Sequence, residues 1–368
     1  MKIQLLIICS ILCSLTSFAQ IAPPNHSFMV KPIFGTHAYS DQGHLFQDKI
    51  YGLDVAYLKE FGQTDTKWIN LTKARSFGLG FLYRNLNNLK GISDTSANSF
   101  GQMYGLNAQI DFQLFRIGKA RLIFTPSLGL SYVNKNFFTN NKNRFLGSHL
   151  NETIKADIGI ELPVGKHTDF LFGVGTLHVS NGGAVIPNGG LNTVHIYAGL
   201  KLNNSKEQPK QEEKDNTTLH RNSFELSLGL GKRGVFEEKN KKLYKSGLYA
   251  GYNYYLNDVF SLKAGIDAVY YYDIYDSNNH VKTFQYYATS YDRWRLGASA
   301  GIDANVWRLT FTAQLGKYIH YNSLYKNATW YWAFGPTINI TPHIGIQAKT
   351  YMHFFQADYI NYGLVFRL

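Results

Sequence analysis

Apolar residues alternate with glycine or polar residues along most of the chain, a period of two that is typical of strands with two different faces. Sixteen segments carry this pattern. They are residues 27–39, 49–61, 76–84, 103–115, 122–133, 152–164, 168–180, 192–202, 224–234, 242–256, 259–273, 293–305, 308–320, 329–340, 344–355 and 359–368. After residue 20 no run of about 18 apolar residues could form a membrane-spanning helix. The chain is therefore predicted to be all-β.

The lengths of the connections indicate which all-β architecture forms. Most odd-numbered segments are followed by long connections, at 41–48, 86–100, 134–151, 181–191 and 274–292. Most even-numbered ones are followed by tight turns, although 62–73 is an exception. Long loops on one side and short turns on the other are typical of an antiparallel transmembrane β-barrel. A secreted β-sandwich is the alternative, but it would not show this alternation.

Composition supports a barrel with an apolar outer wall. Charged residues make up only 17% of the chain, against about 25% in average soluble domains. The 26 tyrosines and five tryptophans could supply the aromatic girdles at the two membrane interfaces. The formal net charge of +12 suggests an anionic lipid surface as partner, and no nucleic-acid-binding motif is present.

Two segments mark the predicted domain boundaries, one at the N-terminus and one near the middle of the chain. Residues 1–19 are predicted to be a signal peptide, with Lys2, an apolar run and Ser17-Phe18-Ala19 at a cleavage site after Ala19. Both cysteines lie in this segment, so the mature chain is expected to have no cysteine-bound metal site, and no cofactor is implied. Residues 204–222 form a charged linker between a barrel at 20–203 and a barrel-like repeat at 223–368. Two eight-stranded barrels in tandem are thus predicted; one sixteen-stranded barrel, normally with a short midpoint turn, is the alternative.

A candidate site lies where segment 168–180 meets its long loop. Phe170 and Phe172 share the even positions with His178 and Ser180, so all four are expected on the lipid-facing wall. A symmetric hairpin would place Ser180 opposite Asn192 and His178 diagonally to it. A serine with a base and an orienting acceptor can become a nucleophile. The alternative is a His-Ser pair that only hydrogen-bonds to lipid headgroups.

The residues around this pair resemble a known family. His178-Val179-Ser180-Asn181-Gly182, followed by 187–192 with the sequence Pro-Asn-Gly-Gly-Leu-Asn, resembles the His-x-Ser-Asn signature of the PagL-type lipid A 3-O-deacylases. The stretches 147–151 and 356–363 are similar to the acyloxyacyl hydrolase branch of Bacteroidetes. The resemblance implies an outer-membrane serine esterase that removes an ester-linked acyl chain from lipid A or lipopolysaccharide in the outer leaflet of a Gram-negative bacterium.

The same resemblance implies the roles of the site residues. Ser180 would be the nucleophile and His178 the base, with Asn181 and Gly182 at the oxyanion hole. Asn192 stands where the family has a glutamate; its carbonyl oxygen can orient the imidazole but carries no charge. Either Glu161 or Asp157, on the neighbouring segment, could substitute as the acid.

Three further residues could contact the lipid headgroup. His149 opens segment 152–164, and Lys142 and Arg144 lie in the preceding loop, where solvated loop charge is the alternative explanation. His195 and His353 are expected in barrel lumens. The second half has Phe355 at the serine position, so no nucleophile is expected there.

A non-catalytic barrel, either a pore or a structural protein, is the competing function. It is favoured by Asn192, which stands in place of an acid.

Overall fold

A computed structural model describes residues 25–38, 46–47, 49–62, 66–91, 100–203, 222–275, 285–286, 291, 293–321 and 328–368. Sixteen long strands form two barrels, as the alternating pattern predicts. Those of the first are β1 His26–His37, β3 Ile50–Glu60, β4 Ala74–Asn85, β6 Gln102–Ile117, β7 Ala120–Val133, β8 Leu150–Pro163, β9 Thr168–Ser180 and β10 Leu191–Asn203. Those of the second are β11 Asn222–Val235, β12 Glu238–Tyr255, β13 Phe260–Tyr271, β16 Trp294–Val306, β17 Leu309–His320, β18 Trp330–Asn339, β19 Ile344–His353 and β20 Gln356–Arg367.

Each half closes on itself through antiparallel pairing. Strand β1 pairs with both β3 and β10, and β11 pairs with both β12 and β20. The chain accordingly forms two compact units, one around each barrel. The prediction of two eight-stranded barrels is confirmed, and the alternative of one sixteen-stranded barrel is wrong because both halves complete their own hydrogen-bonded ring.

A few short elements were not predicted. Helix α1, Lys67–Thr72, lies in the long connection after β3 and ends at Lys73 in a left-handed conformation. Two-residue strands pair outside the barrels: β2 Phe46–Gln47 with β5 Lys90–Gly91, and β14 Ile274–Tyr275 with β15 Gln285–Tyr286. Within the described residues no helix has the length and apolar character to cross a membrane. The predicted signal peptide and residues 204–221 of the linker lie outside the described residues.

Side chains alternate between the lumen and the outer wall of the first barrel. Lumenal charges pair across it: Lys155 Nζ lies 3.0 Å from Asp54 and 2.7 Å from Asp157, which also binds Lys31. His195, lumenal as predicted, contacts the other oxygen of Asp157. A buried charge is costly unless it is paired, and these charges are paired with one another. The lumen of the first barrel is therefore filled by side chains.

The second barrel has a similarly filled interior, made chiefly of tyrosines around carboxylates. Tyr331 and Tyr351 both donate to Asp267, and Tyr271 donates to Asp358, which also binds Lys245. His353 is fully buried, as predicted, and contacts the Tyr318 hydroxyl and Arg295. The predicted serine-equivalent position, Phe355, lies in the turn after β19 and is 98% exposed.

An apolar cluster closes the long-loop end of the first barrel. It includes Leu177 and Val179 of β9, Leu191 of β10, and Phe145 and Leu146 of the loop before β8. Leu177 and Val179 alternate with His178 and Ser180, so the cluster anchors from behind the backbone that carries the candidate site.

Candidate active site

His178 and Ser180 of β9 and Asn192 of β10 form one hydrogen-bonded cluster on the outer wall of the first barrel. His178 Nε2 lies 3.1 Å from Ser180 Oγ, and His178 Nδ1 lies 2.6 Å from Asn192 Oδ1. All three side chains are half-buried, and their even-numbered neighbours Phe172, Thr176 and Val194 are exposed. The prediction that these three residues share the outer wall is therefore consistent with the structure.

The register between the two strands differs from the symmetric hairpin predicted from the sequence. Asn192 lies directly opposite His178, and the last pair is Leu191 with Val179. Ser180 extends beyond this pairing, and instead lies opposite a residue of β8. The shift is two residues, which preserves the face of each side chain but brings the imidazole, not the serine, next to Asn192.

This geometry sets the protonation of the imidazole. The Asn192 carbonyl oxygen can only accept a hydrogen bond, so the proton of neutral His178 lies on Nδ1. Nε2 then presents its lone pair to the hydroxyl of Ser180. A base within hydrogen-bond reach of a hydroxyl, held by a third group, is the arrangement that activates a serine nucleophile. Asn192 supplies the orientation without the negative charge.

Gly190 lies against the Cε1 edge of the His178 imidazole, between its two hydrogen-bonded nitrogens. A Cβ built on Gly190 would lie 2.7 Å from His178 Cε1, and its φ is +76°. Its N–H donates to Phe145 O at 3.0 Å, which ties it to the apolar cluster. Only glycine combines this positive φ with such a close approach to the ring.

We expect Gly190→Ala to lower the reactivity of Ser180 by about tenfold or more, because the methyl group must displace the ring from Ser180 and Asn192. Gly165→Ala is the matched control: its Cβ would lie 3.8 Å from the nearest atom, in the turn before β9. Initial rates on an ester substrate, with heat-modifiable migration in gels as the folding control, measure both variants. Full activity of Gly190→Ala would show that the ring position is not held there.

The turn after Ser180 is closed by Asn181. Its Oδ1 accepts from the Gly183 N–H at 3.0 Å, and its Nδ2 donates to Val185 O at 2.9 Å. The Asn181 N–H faces Asn188 Oδ1 at 3.3 Å, and Gly182 has a φ of +61°. Asn181 thus shapes the segment that follows the serine, and the oxyanion-hole role of Asn181 and Gly182 stays a prediction.

Asp157 and Glu161 are not at the site. Both point into the lumen, on the opposite face of the barrel wall from His178. Asp157 is engaged by lysines and His195, and Glu161 by Arg121 and Lys201. The expectation that either could replace the missing acid is corrected: their odd positions on β8 face the cations of the interior.

Glu152, an acid on the outer wall, was missed by the sequence reasoning. It is half-buried and lies directly opposite Ser180, with Leu130 opposite it on β7. Leu150 and Ile154, which share its parity on β8, are 62% and 39% exposed. The apolar residues at the other even positions of β8 were the sequence signal that could have assigned Glu152 to the outer wall.

The predicted headgroup residues lie at the same end of the barrel. Lys142 and Arg144 are exposed on a loop whose turns are closed by the Asn143 and Asn140 side chains. His149 precedes β8, lies 2.7 Å from Val133 O through Nδ1, and stacks on Tyr132. Their role in binding lipid stays a prediction.

Over the described residues, no group of His, Cys, Asp and Glu side chains could hold a metal ion.

The fold and the cluster define a class: an outer-membrane β-barrel with a serine-histidine site on its outer wall. Comparison of the sequence with models of protein families supports this class. The model described as "Lipid A 3-O-deacylase (PagL)" matches residues 52–201, and that described as "Acyloxyacyl hydrolase, C-terminal domain" matches residues 222–368. Together they span both barrels, and the chain belongs to the PagL lipid A 3-O-deacylase family. No curated protein sequence matches the chain.

Several solved structures are similar to part or most of the chain at low sequence identity. Neisserial surface protein A (NspA) is 12% identical, with a TM-score of 0.33, over 48% of this chain and 96% of its own. The outer membrane enzyme PagL is 19% identical, with a TM-score of 0.32, over 48% and 99%. The toluene transporter TodX of P. putida is 10% identical, with a TM-score of 0.18, over 96% and 90%.

Proposed function

We propose that the protein is an outer-membrane serine esterase that hydrolyses an ester-linked acyl chain of lipid A, with Ser180, His178 and Asn192 as its site. The observation that carries the proposal is the continuous hydrogen-bonded chain from Ser180 Oγ through the imidazole to Asn192 Oδ1. Its place on the outer wall exposes the hydroxyl to lipid acyl chains, as a membrane-embedded substrate requires. Membership in the deacylase family supports the choice of lipid A.

The reaction begins when Ser180 Oγ attacks the ester carbonyl carbon and its proton passes to His178 Nε2. We assign the stabilisation of the resulting oxyanion to the Gly182 N–H, because the backbone N–H and Nδ2 of Asn181 already donate within the loop. Asn192 holds the imidazolium in place. Collapse breaks the ester C–O bond, and His178 returns the proton to the leaving alcohol. Water, deprotonated by His178, then attacks the acyl carbon of acyl-Ser180. The bond from that carbon to Ser180 Oγ breaks, His178 returns the proton to Oγ, and a fatty acid is released.

Mass spectrometry of lipid A incubated with the purified, detergent-solubilised protein tests this function. We expect loss of one ester-linked acyl chain from lipid A and appearance of the free fatty acid. An unchanged acyl pattern, together with ion conductance of the protein in planar bilayers, would contradict it and favour the pore. The filled, ion-paired lumen argues against conductance.

A further inference from the structure

We propose that Glu152 supplies the negative charge that Asn192 lacks, and that it stabilises the His178 imidazolium from the β8 side of the site. The inference rests on the proposed esterase function and adds a residue to it. Glu152 would act through His178, as an electrostatic positioning residue. Its place follows from strand register, since directly opposed residues in an antiparallel pair project from the same face with Cβ atoms about 5 Å apart.

The register places the carboxylate beside the reacting groups. Glu152 is opposite Ser180, and Ile154 is opposite His178, so Glu152 is the diagonal neighbour of the imidazole. Diagonal neighbours on one face are about 7 Å apart, within reach of a long side chain. The site therefore has Asn192 on one side of β9 and a carboxylate on the other.

Glu152 is also the acid of this region with the correct orientation. Strands β8, β9 and β10 contain four acids, of which Asp157, Glu161 and Asp169 are buried on the lumenal face. Glu152 alone has the parity of the outer wall on these three strands, amid Leu130, Leu150 and Ile154. Glu152 lies two residues from the start of β8, where a carboxylate on the outer wall is penalised less than at the bilayer midplane.

A charge at this distance favours the imidazolium at a partly buried site. At about 7 Å and an effective dielectric constant near 20, the attraction corresponds to roughly tenfold or more in rate. The same carboxylate also repels an oxyanion formed on the substrate. We expect the attraction to the ring to outweigh this repulsion, because the oxyanion is also stabilised by a hydrogen-bond donor, and a rate increase in Glu152→Gln would show the opposite.

The test compares Glu152→Gln, Glu152→Asp and wild type for kcat on an ester substrate, in the Asn192 background and in the Asn192→Asp background. We expect Glu152→Gln to lose about tenfold and Glu152→Asp to retain most activity, because only the former removes the charge. In the Asn192→Asp background the same Glu152→Gln change should cost much less, since a second carboxylate then stabilises the ring. Glu60→Gln removes an equal charge at the opposite rim of the barrel and should leave kcat unchanged.

Four results would overturn the inference. They are a Glu152→Gln rate equal to wild type, a rate increase in Glu152→Gln, an equal loss in both backgrounds, and an equal loss for the Gln and Asp variants. Heat-modifiable gel migration confirms that each variant is folded. If wild type itself fails to hydrolyse the ester, the proposed function fails; if wild type is active and Glu152→Gln matches it, only the role of Glu152 fails.

Discussion

Ser180→Ala is expected to reduce hydrolysis of lipid A by about 10³-fold or more, because loss of the nucleophile removes the covalent route altogether. The barrel should fold as before. Ser180 is the last residue of β9, half-buried on the outer wall, and the closed ladders that hold the barrel do not depend on its hydroxyl.

Thr176→Ala is the matched control for this substitution. It removes a hydroxyl from the same face of the same strand, four residues away, where the side chain is exposed. The free fatty acid released per minute gives the rates, and heat-modifiable migration reports folding. Comparable rates for Ser180→Ala and wild type would remove the serine from the mechanism.

The second large effect is expected at Asn192, which stands where the family has a glutamate. Its Oδ1 already accepts from His178 Nδ1 at 2.6 Å, so Asn192→Asp adds a charge with almost no change of shape. We expect Asn192→Asp and Asn192→Glu to be faster than wild type, and Asn192→Ala to be slower by about tenfold or more. The carboxylate stabilises the imidazolium formed as Ser180 loses its proton, a contribution of about 2–3 kcal/mol.

Two costs oppose the gain from an acid at this position. A carboxylate on the lipid-facing wall is penalised, although less near the interface than at the midplane. Glutamate is also longer than asparagine and can push the ring away from Ser180, which aspartate avoids. Steady-state rates for the four proteins decide the order; equal rates would show that position 192 does not act on His178.

The pattern of the barrel could be predicted from the sequence because burial of one strand face enforces a period of two. The same period assigned His178, Ser180 and Asn192 to the outer wall, since Phe170 and Phe172 share the parity of the first two. It did not determine register. A hairpin shifted by two residues has the same faces, so nothing in the alternation distinguishes Ser180 from His178 as the partner of Asn192.

The apolar even-numbered positions of β8 could have assigned its two faces, but the sequence does not give the partners of its charged residues. Lys155, Asp157 and Glu161 face the lumen, where they form ion pairs. Their partners are Asp54, Lys31 and Lys201, which lie on other strands. Only the closed barrel brings these charges together. That same closure leaves Glu152 outside and beside Ser180, which is why sequence reasoning did not find the acid near the site.

Covalent trapping of the nucleophile tests the central claim most directly. The folded protein is treated with a fluorophosphonate, which reacts with activated serines, and the adduct is located by peptide mass spectrometry. We predict one adduct per chain, on Ser180, lost in His178→Ala because the hydroxyl is then no longer activated. An adduct on another residue, or none in a wild-type sample that hydrolyses lipid A, would contradict the assignment.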